Sequence, residues 1–190
     1  IKKALNPKEL KQVREKLTEL VQSSIAKNIP IPHIFNITGE INIAIIKRAV
    51  ELAILDIGSP PARFAWLSIG SQGRKEQLLI TDQDSILIFE DVPPEKYRDV
   101  KNYFLTLAKK SVETLQKVGY ELCPHGHLAS NMNWCKSLSD WTKQYENWMN
   151  TPGENTNEIS SVFFDYELAF GEQKIEDALT DVIFSNIKNK

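Results

Sequence analysis

The chain has 190 residues, 42% of them hydrophobic, and 23 Lys and Arg stand against 25 Asp and Glu for a formal net charge of −2. That composition excludes a disordered or fibrous chain, and the near balance of charge gives no overall basic field, so nucleic acid is not an expected partner. Two cysteines, Cys123 and Cys135, make no disulfide framework and fit a reducing, cytoplasmic setting. No apolar run approaches the ~20 residues of a membrane span, no signal peptide opens the chain, and a first residue Ile1 rather than Met reads as a piece of a longer protein.

Leu10, Val13, Leu17, Leu20, Val21 and Ile25 recur at helical spacing and predict an amphipathic helix over 7–27. The two prolines of "NIPIPHIF" break it, and a second helix is expected over 39–57, capped by Thr38 and ended by Gly58, Pro60 and Pro61. "RFAWLSIG" (63–70) and "DSILIFE" (84–90) read as buried strands. Pro93 and Pro94 suit the first turn of a helix that Asp91 could cap and Gly119 could end. "YELC" (120–123) reads as a short third strand, and helices are expected over 136–150 and 157–170, separated by the turn-rich "TPGENTN", with a last one from Glu172. The order predicts an α/β or α+β fold, a small mixed sheet flanked by helices. An N-terminal helical segment (1–58) would pack on a core domain (59–190).

"GSQGRKEQLLITDQD" (70–84) joins the first two strands. Asp82 and Asp84, at i and i+2 where a strand opens, project to one face, where two carboxylates repel unless a cation offsets them. Mg²⁺, a hard ion, binds carboxylate and phosphate oxygens together. Gly70 lets backbone approach a ligand closely. The Ser71 hydroxyl and neighbouring N–H groups can hold phosphate oxygens, and Arg74 could add charge-assisted bonds. The bland alternative is a polar strand entry in which Thr81 and Asp82 make turn bonds.

"GSQGRKEQLLITDQDSILIFED" resembles the signature of the DNA polymerase beta-like nucleotidyltransferase superfamily. More narrowly it is similar to the nucleotidyltransferases found in bacterial proteins beside CBS or cyclic-nucleotide-binding domains, relatives of the uridylyltransferase and adenylyltransferase that modify nitrogen-regulation proteins. "PPARFAWLSIGSQGRKEQ", "GYELC", "LASNMNWC" and "VFFDYELAFG" follow that family's landmarks in order. The resemblance implies that Gly70, Ser71, Gly73 and Arg74 serve the triphosphate and that Asp82 and Asp84 bind Mg²⁺ (or Mn²⁺). It implies transfer of an NMP group from an NTP to a protein or small-molecule hydroxyl, within a cytoplasmic signalling protein whose full chain carries such regulatory domains. Many members have a third carboxylate, for which Glu121 is the first candidate here, with Asp165 assigned to the flank of a helix. Glu167 stands where relatives usually carry arginine. Without a third carboxylate the domain would be a catalytically inactive nucleotide-sensing module.

"CPHGH" gathers Cys123, His125 and His127, with Cys135 downstream, in a spacing that matches no common zinc pattern and reads equally as a loop. Trp134, Leu138, Trp141, Tyr145 and Trp148 form one helical stripe, expected to be core or a helix–helix seam and otherwise a docking platform. The resemblance implies that Arg74 and Glu76 brace the glycine turn, through a local ion pair or a backbone contact.

Overall fold

In the computed structural model, which describes residues 1–78, 82–151, 153 and 156–188, the elements run in the order α1 (Pro7–Ala26), α2 (Ile31–Ile57), β1 (Phe64–Ile69), α3 (Gly70–Gly73), β2 (Asp82–Gln83), β3 (Ser85–Phe89), α4 (Pro94–Val118), β4 (Glu121–Leu122), β5 (Cys135–Ser137), α5 (Leu138–Asn150), α6 (Thr156–Phe163), β6 (Tyr166–Gly171) and α7 (Gln173–Lys188). The turn role considered for Thr81 and part of the "TPGENTN" linker lie outside the described residues. No described helix is long and apolar enough to cross a membrane.

Four strands form a mixed sheet in the order β5-β3-β1-β6. β1 is antiparallel to β3, from Phe64↔Phe89 to Ser68↔Ser85, and antiparallel to β6 on its other side; β5 runs parallel to β3. β1 and β3 are buried along their whole lengths because helices cover both faces. Phe64, Trp66, Leu87 and Phe89 pack with Leu10 of α1, Ile45 of α2 and Phe104 of α4. Ala65, Leu67, Ile86 and Ile88 pack on the opposite face with Trp141 and Tyr145 of α5, Phe163 of α6 and Leu179 of α7. This is the expected α/β architecture, and the tryptophan stripe belongs to its core. Trp141 also donates its indole N–H to the Leu87 carbonyl at 3.1 Å.

Four local expectations are corrected. α2 starts at Ile31, not near Gly39: Pro32 lies in the first turn, where a missing N–H leaves no helical bond unmade. Thr38 is therefore inside the helix, and its hydroxyl donates to the Ile34 carbonyl at 2.8 Å instead of capping. Asp91 does not cap α4. Its carboxylate accepts from the Ser139 backbone N–H at 3.1 Å and the Ser139 hydroxyl at 2.7 Å, in the first turn of α5. Finally, residues 135–137 and 166–171 are strands inside stretches expected to be helical. The α6 helix ends at Phe163, and Asp165 follows it outside the helix, because the edges of β1 and β3 offer backbone partners that a lone helix cannot match. The helical-looking series through Tyr166, Ala169 and Phe170 is strand alternation interrupted by a bulge. Tyr166 and Leu168 reach one core, and Ala169 and Phe170 reach the other.

β6 ends on Gly171, at φ 108°, where an added Cβ would lie 2.1 Å from the Phe64 carbonyl oxygen. Gly171→Ala should cost about 2–4 kcal/mol in urea unfolding, from overpacking plus positive-φ strain. Gly153→Ala, which meets nothing within 4 Å, should be close to neutral in the same measurement.

Candidate nucleotide and metal site

The pairing of β1 with β3 carries the end of one strand to the start of the other. The Ile69 N–H donates to the Asp84 carbonyl at 3.1 Å, so the glycine turn and the second aspartate are neighbours. Gly70 sits at φ 62°, and a Cβ built there would stand 3.5 Å from Asp84 Oδ2. A side chain at this position would be strained by the positive φ, and it would stand in van der Waals contact with the carboxylate. The Gly70 N–H is taken by the Asp165 carbonyl at 2.9 Å.

Several contacts hold the turn. Gln77 Nε2 donates to the Ser71 hydroxyl at 3.1 Å and to the Asp82 carbonyl at 3.2 Å, linking the serine to the first aspartate. Gly73 packs so tightly that a Cβ would stand 2.3 Å from the Asp165 carbonyl oxygen. Arg74 donates to Glu76 at 2.9 Å, to Asp165 at 3.0 Å and to the Ser161 carbonyl at 2.7 Å; the bonds to Glu76 and then Asp165 raise its pKa. The guanidinium therefore ties the turn to the α6–β6 junction, as a brace. Lys75 pairs with Glu167 at 3.1 Å, a second tie between the same two segments. Asp165 is spent on this brace.

Sequence reasoning missed the layer beneath the turn. The Tyr120 hydroxyl donates to Asn42 Oδ1 at 2.7 Å, and Asn42 Nδ2 donates to Gln72 Oε1 at 3.3 Å. The Arg14 guanidinium lies 4.0 Å from the Tyr120 ring centroid. All three hydrogen-bonding residues are buried, so this chain fixes α3 to α2 through the core. Polar residues at buried helix positions, Asn42 above all, were the available signal. A small cleft lies under the aspartates, lined by Ser68, Gln72, Gln77, Gln83, Asp84 and Tyr120 among others. Ser68 Oγ, Gln72 Nε2, Gln83 Oε1 and Asp84 Oδ1 are enclosed there with no hydrogen-bond partner.

Gln83 turns inward and donates to the Val112 carbonyl at 3.4 Å. Asp82 and Asp84 flank Gln83 in the chain, and all three line the cleft. Burial raises the Asp84 pKa above the ordinary carboxylate range, and the Asp82 charge adds to it; Cys123, His127 and His125 act in the opposite direction. An enclosed, unpartnered carboxylate oxygen beside a second carboxylate fits a bound cation. Glu121 is the direct lateral partner of Asp82 in the parallel β2–β4 pair, but it is exposed. Among the described residues, Asp82, Asp84 and Glu121 do not converge. The one trio whose ligand atoms all lie within 4.8 Å of one another is Asp84, Cys123 and His127.

Because the Asp84 carboxyl ionises above the usual range in the folded protein, the unfolded chain loses its proton first. Stability is then lost as pH rises through the carboxylate range. Asp84→Asn should raise the melting temperature at neutral pH in chelator and flatten that pH dependence, as read by scanning calorimetry. Tyr120→Phe should cost about 1–3 kcal/mol by leaving Asn42 Oδ1 buried without its donor, measured by urea unfolding.

No curated protein matches the chain. A family model described as "Putative nucleotidyltransferase DUF294" matches residues 15–155. The matched span contains the Gly-Ser turn, both aspartates, Glu121 and the Cys123–His127 loop, and stops short of β6. Covering most of the sequence, with the Gly-Ser turn and both aspartates inside it, the match establishes that this chain belongs to that nucleotidyltransferase family.

Proposed function

We propose that the site binds a nucleoside triphosphate with Mg²⁺ (or Mn²⁺) and transfers its nucleoside monophosphate group to a hydroxyl of a protein or small molecule. The observation that carries this reading is the approach of Gly70 to Asp84 Oδ2, which sets a glycine turn against a carboxylate pair. Gly70 would let a phosphate approach the backbone, and the Ser71 hydroxyl, which accepts from Gln77, keeps its O–H to donate to a phosphate oxygen. Asp82 and Asp84 would hold the divalent ion, which when bound neutralises triphosphate charge. The acceptor oxygen forms a bond to the α-phosphorus, the bond to pyrophosphate breaks, and the hydroxyl proton passes to solvent or a nearby base. Within a signalling protein, CBS or cyclic-nucleotide-binding domains in the same chain would regulate this step, in the cytoplasm.

A second reading has its own support. Glu121 stands beside Asp82 in register yet is exposed and joins no convergent carboxylate trio among the described residues. A domain without a third carboxylate in reach would bind nucleotide as a sensor and not turn it over.

Calorimetric titration with ATP, UTP, GTP and CTP, with and without Mg²⁺, tests the site. Metal-dependent binding of at least one nucleotide is expected in the intact chain, with loss in the Asp82→Asn/Asp84→Asn double variant. Ser71→Ala should weaken it by about 10-fold, the worth of one hydrogen bond to a charged group. Binding that is unchanged in the double variant would overturn the proposal. Release of pyrophosphate that Glu121→Gln abolishes would select transfer over sensing.

A further inference from the structure

The loop after β4 is pinned to the start of β3. The His127 carbonyl accepts from the Ser85 N–H at 2.9 Å, and the Ser85 hydroxyl accepts from the Ala129 N–H at 3.1 Å. A tight turn, with the Gly126 N–H on the Cys123 carbonyl at 3.1 Å and Gly126 at φ 71°, folds Cys123 and His127 back toward the same strand. Asp84 directly precedes Ser85. The carboxylate, the Cys123 sulfur and a His127 ring nitrogen thereby come within 4.8 Å of one another. Cys123 and His127 are buried, at 7% and 8% exposure, and Asp84 is half-buried. The other residues of the zinc-like run stay out. His125 is exposed, its imidazole stacked on that of His127, and Cys135 lies in the core on β5.

We propose that Asp84, Cys123 and His127 form a binding site for a borderline-soft divalent ion of the Zn²⁺ kind, which shares Asp84 with the Asp82–Asp84 pair and takes its other two donors from the loop after β4. Sulfur and imidazole donors favour such ions, whereas Mg²⁺ takes oxygen ligands. Metal bonds of roughly 2.3 Å to sulfur and about 2.0 Å to nitrogen set ligand atoms about 3.5 Å apart. Atoms already within 4.8 Å reach that spacing by side-chain rotation. The enclosed Asp84 Oδ1 has no hydrogen-bond partner, and a ligand bond to the ion would satisfy it. As the sulfur–metal bond forms, the thiol proton leaves to solvent, so binding releases a proton. Three protein donors leave the fourth tetrahedral position for water or a ligand oxygen. If the nucleotide reading above holds, the ion occupies Asp84 in competition with Mg²⁺ and so restrains the nucleotide site.

The test uses the intact chain and Co²⁺ as a spectroscopic stand-in for Zn²⁺. One equivalent should give the near-ultraviolet thiolate-to-cobalt charge-transfer band, and added Zn²⁺ should abolish it. Cys123→Ser should remove the band, and His127→Gln should weaken Zn²⁺ binding by roughly 100-fold or more, since even outer-shell substitutions cost about 10–100-fold. His125→Gln should keep both. Circular dichroism checks that each variant is folded. Absence of the band in the unsubstituted protein overturns the site whatever the variants do, as does a band lost with His125→Gln and kept with His127→Gln. These readouts contain no nucleotide, so they stand or fall apart from the proposed function. Nucleotide titration of the Zn²⁺-loaded protein tests the competition: weakened Mg²⁺-dependent binding is expected, and undiminished binding with Zn²⁺ still bound overturns that part alone.

Discussion

The pairing of β1 with β3 is the constraint on which the rest of this molecule depends. With Ser68 opposite Ser85, the first residue after one strand must lie beside the last residue before the other. Gly70 and Asp84 are distant in the chain and adjacent in space for that reason. A one-residue slip would reverse the facing of every side chain on β3, and the two apolar cores forbid it. Trp66 and Leu87 are committed to one core, and Leu67 and Ile86 to the other. Site geometry is thus set by hydrophobic burial on both faces of a sheet, some distance from any polar chemistry.

Around that register the charged groups divide into two kinds. Arg74, Lys75, Glu76, Asp165 and Glu167 pair with one another at the surface, and such pairs contribute little stability individually. Their effect is positional: they connect the glycine turn to the strand that closes the sheet. Asp84 belongs to the other kind. It is partly buried beside Asp82 and unbalanced by a nearby arginine or lysine in its shift, so the folded protein holds it at a cost. A fold keeps an unfavourable carboxylate where a ligand offsets it, the usual exchange of stability for function.

The errors of local reading share one cause. Residues 166–171 carry apolar groups at spacings compatible with a helix, and only the open edge of β1 decides that they become a strand. Pro32 breaks a helix in mid-course but not in its first turn, and sequence alone did not say where that turn lay. Asp91 is a competent cap beside two helix starts, and tertiary proximity gave it to the more distant one in sequence. In each case a residue with two acceptable local states took the one that long-range packing favoured. By contrast α1, α4 and the two central strands were legible, because their periodicity and their Gly or Pro boundaries agree with the burial they reach.

The sequence by itself determined the α/β class, the two central strands and the order Gly70, Ser71, Asp82, Asp84. Those features rest on periodicity and on residue chemistry within short spans. Only the tertiary structure decided that Arg74 also reaches Asp165, that Glu121 stands beside Asp82, that Gln72 hangs from Asn42 and Tyr120, and that Cys123 and His127 meet Asp84 and not Cys135. Each of these is a contact between segments far apart in the chain. Such contacts depend on strand register and on which faces the two cores bury, and no local pattern of residues encodes them.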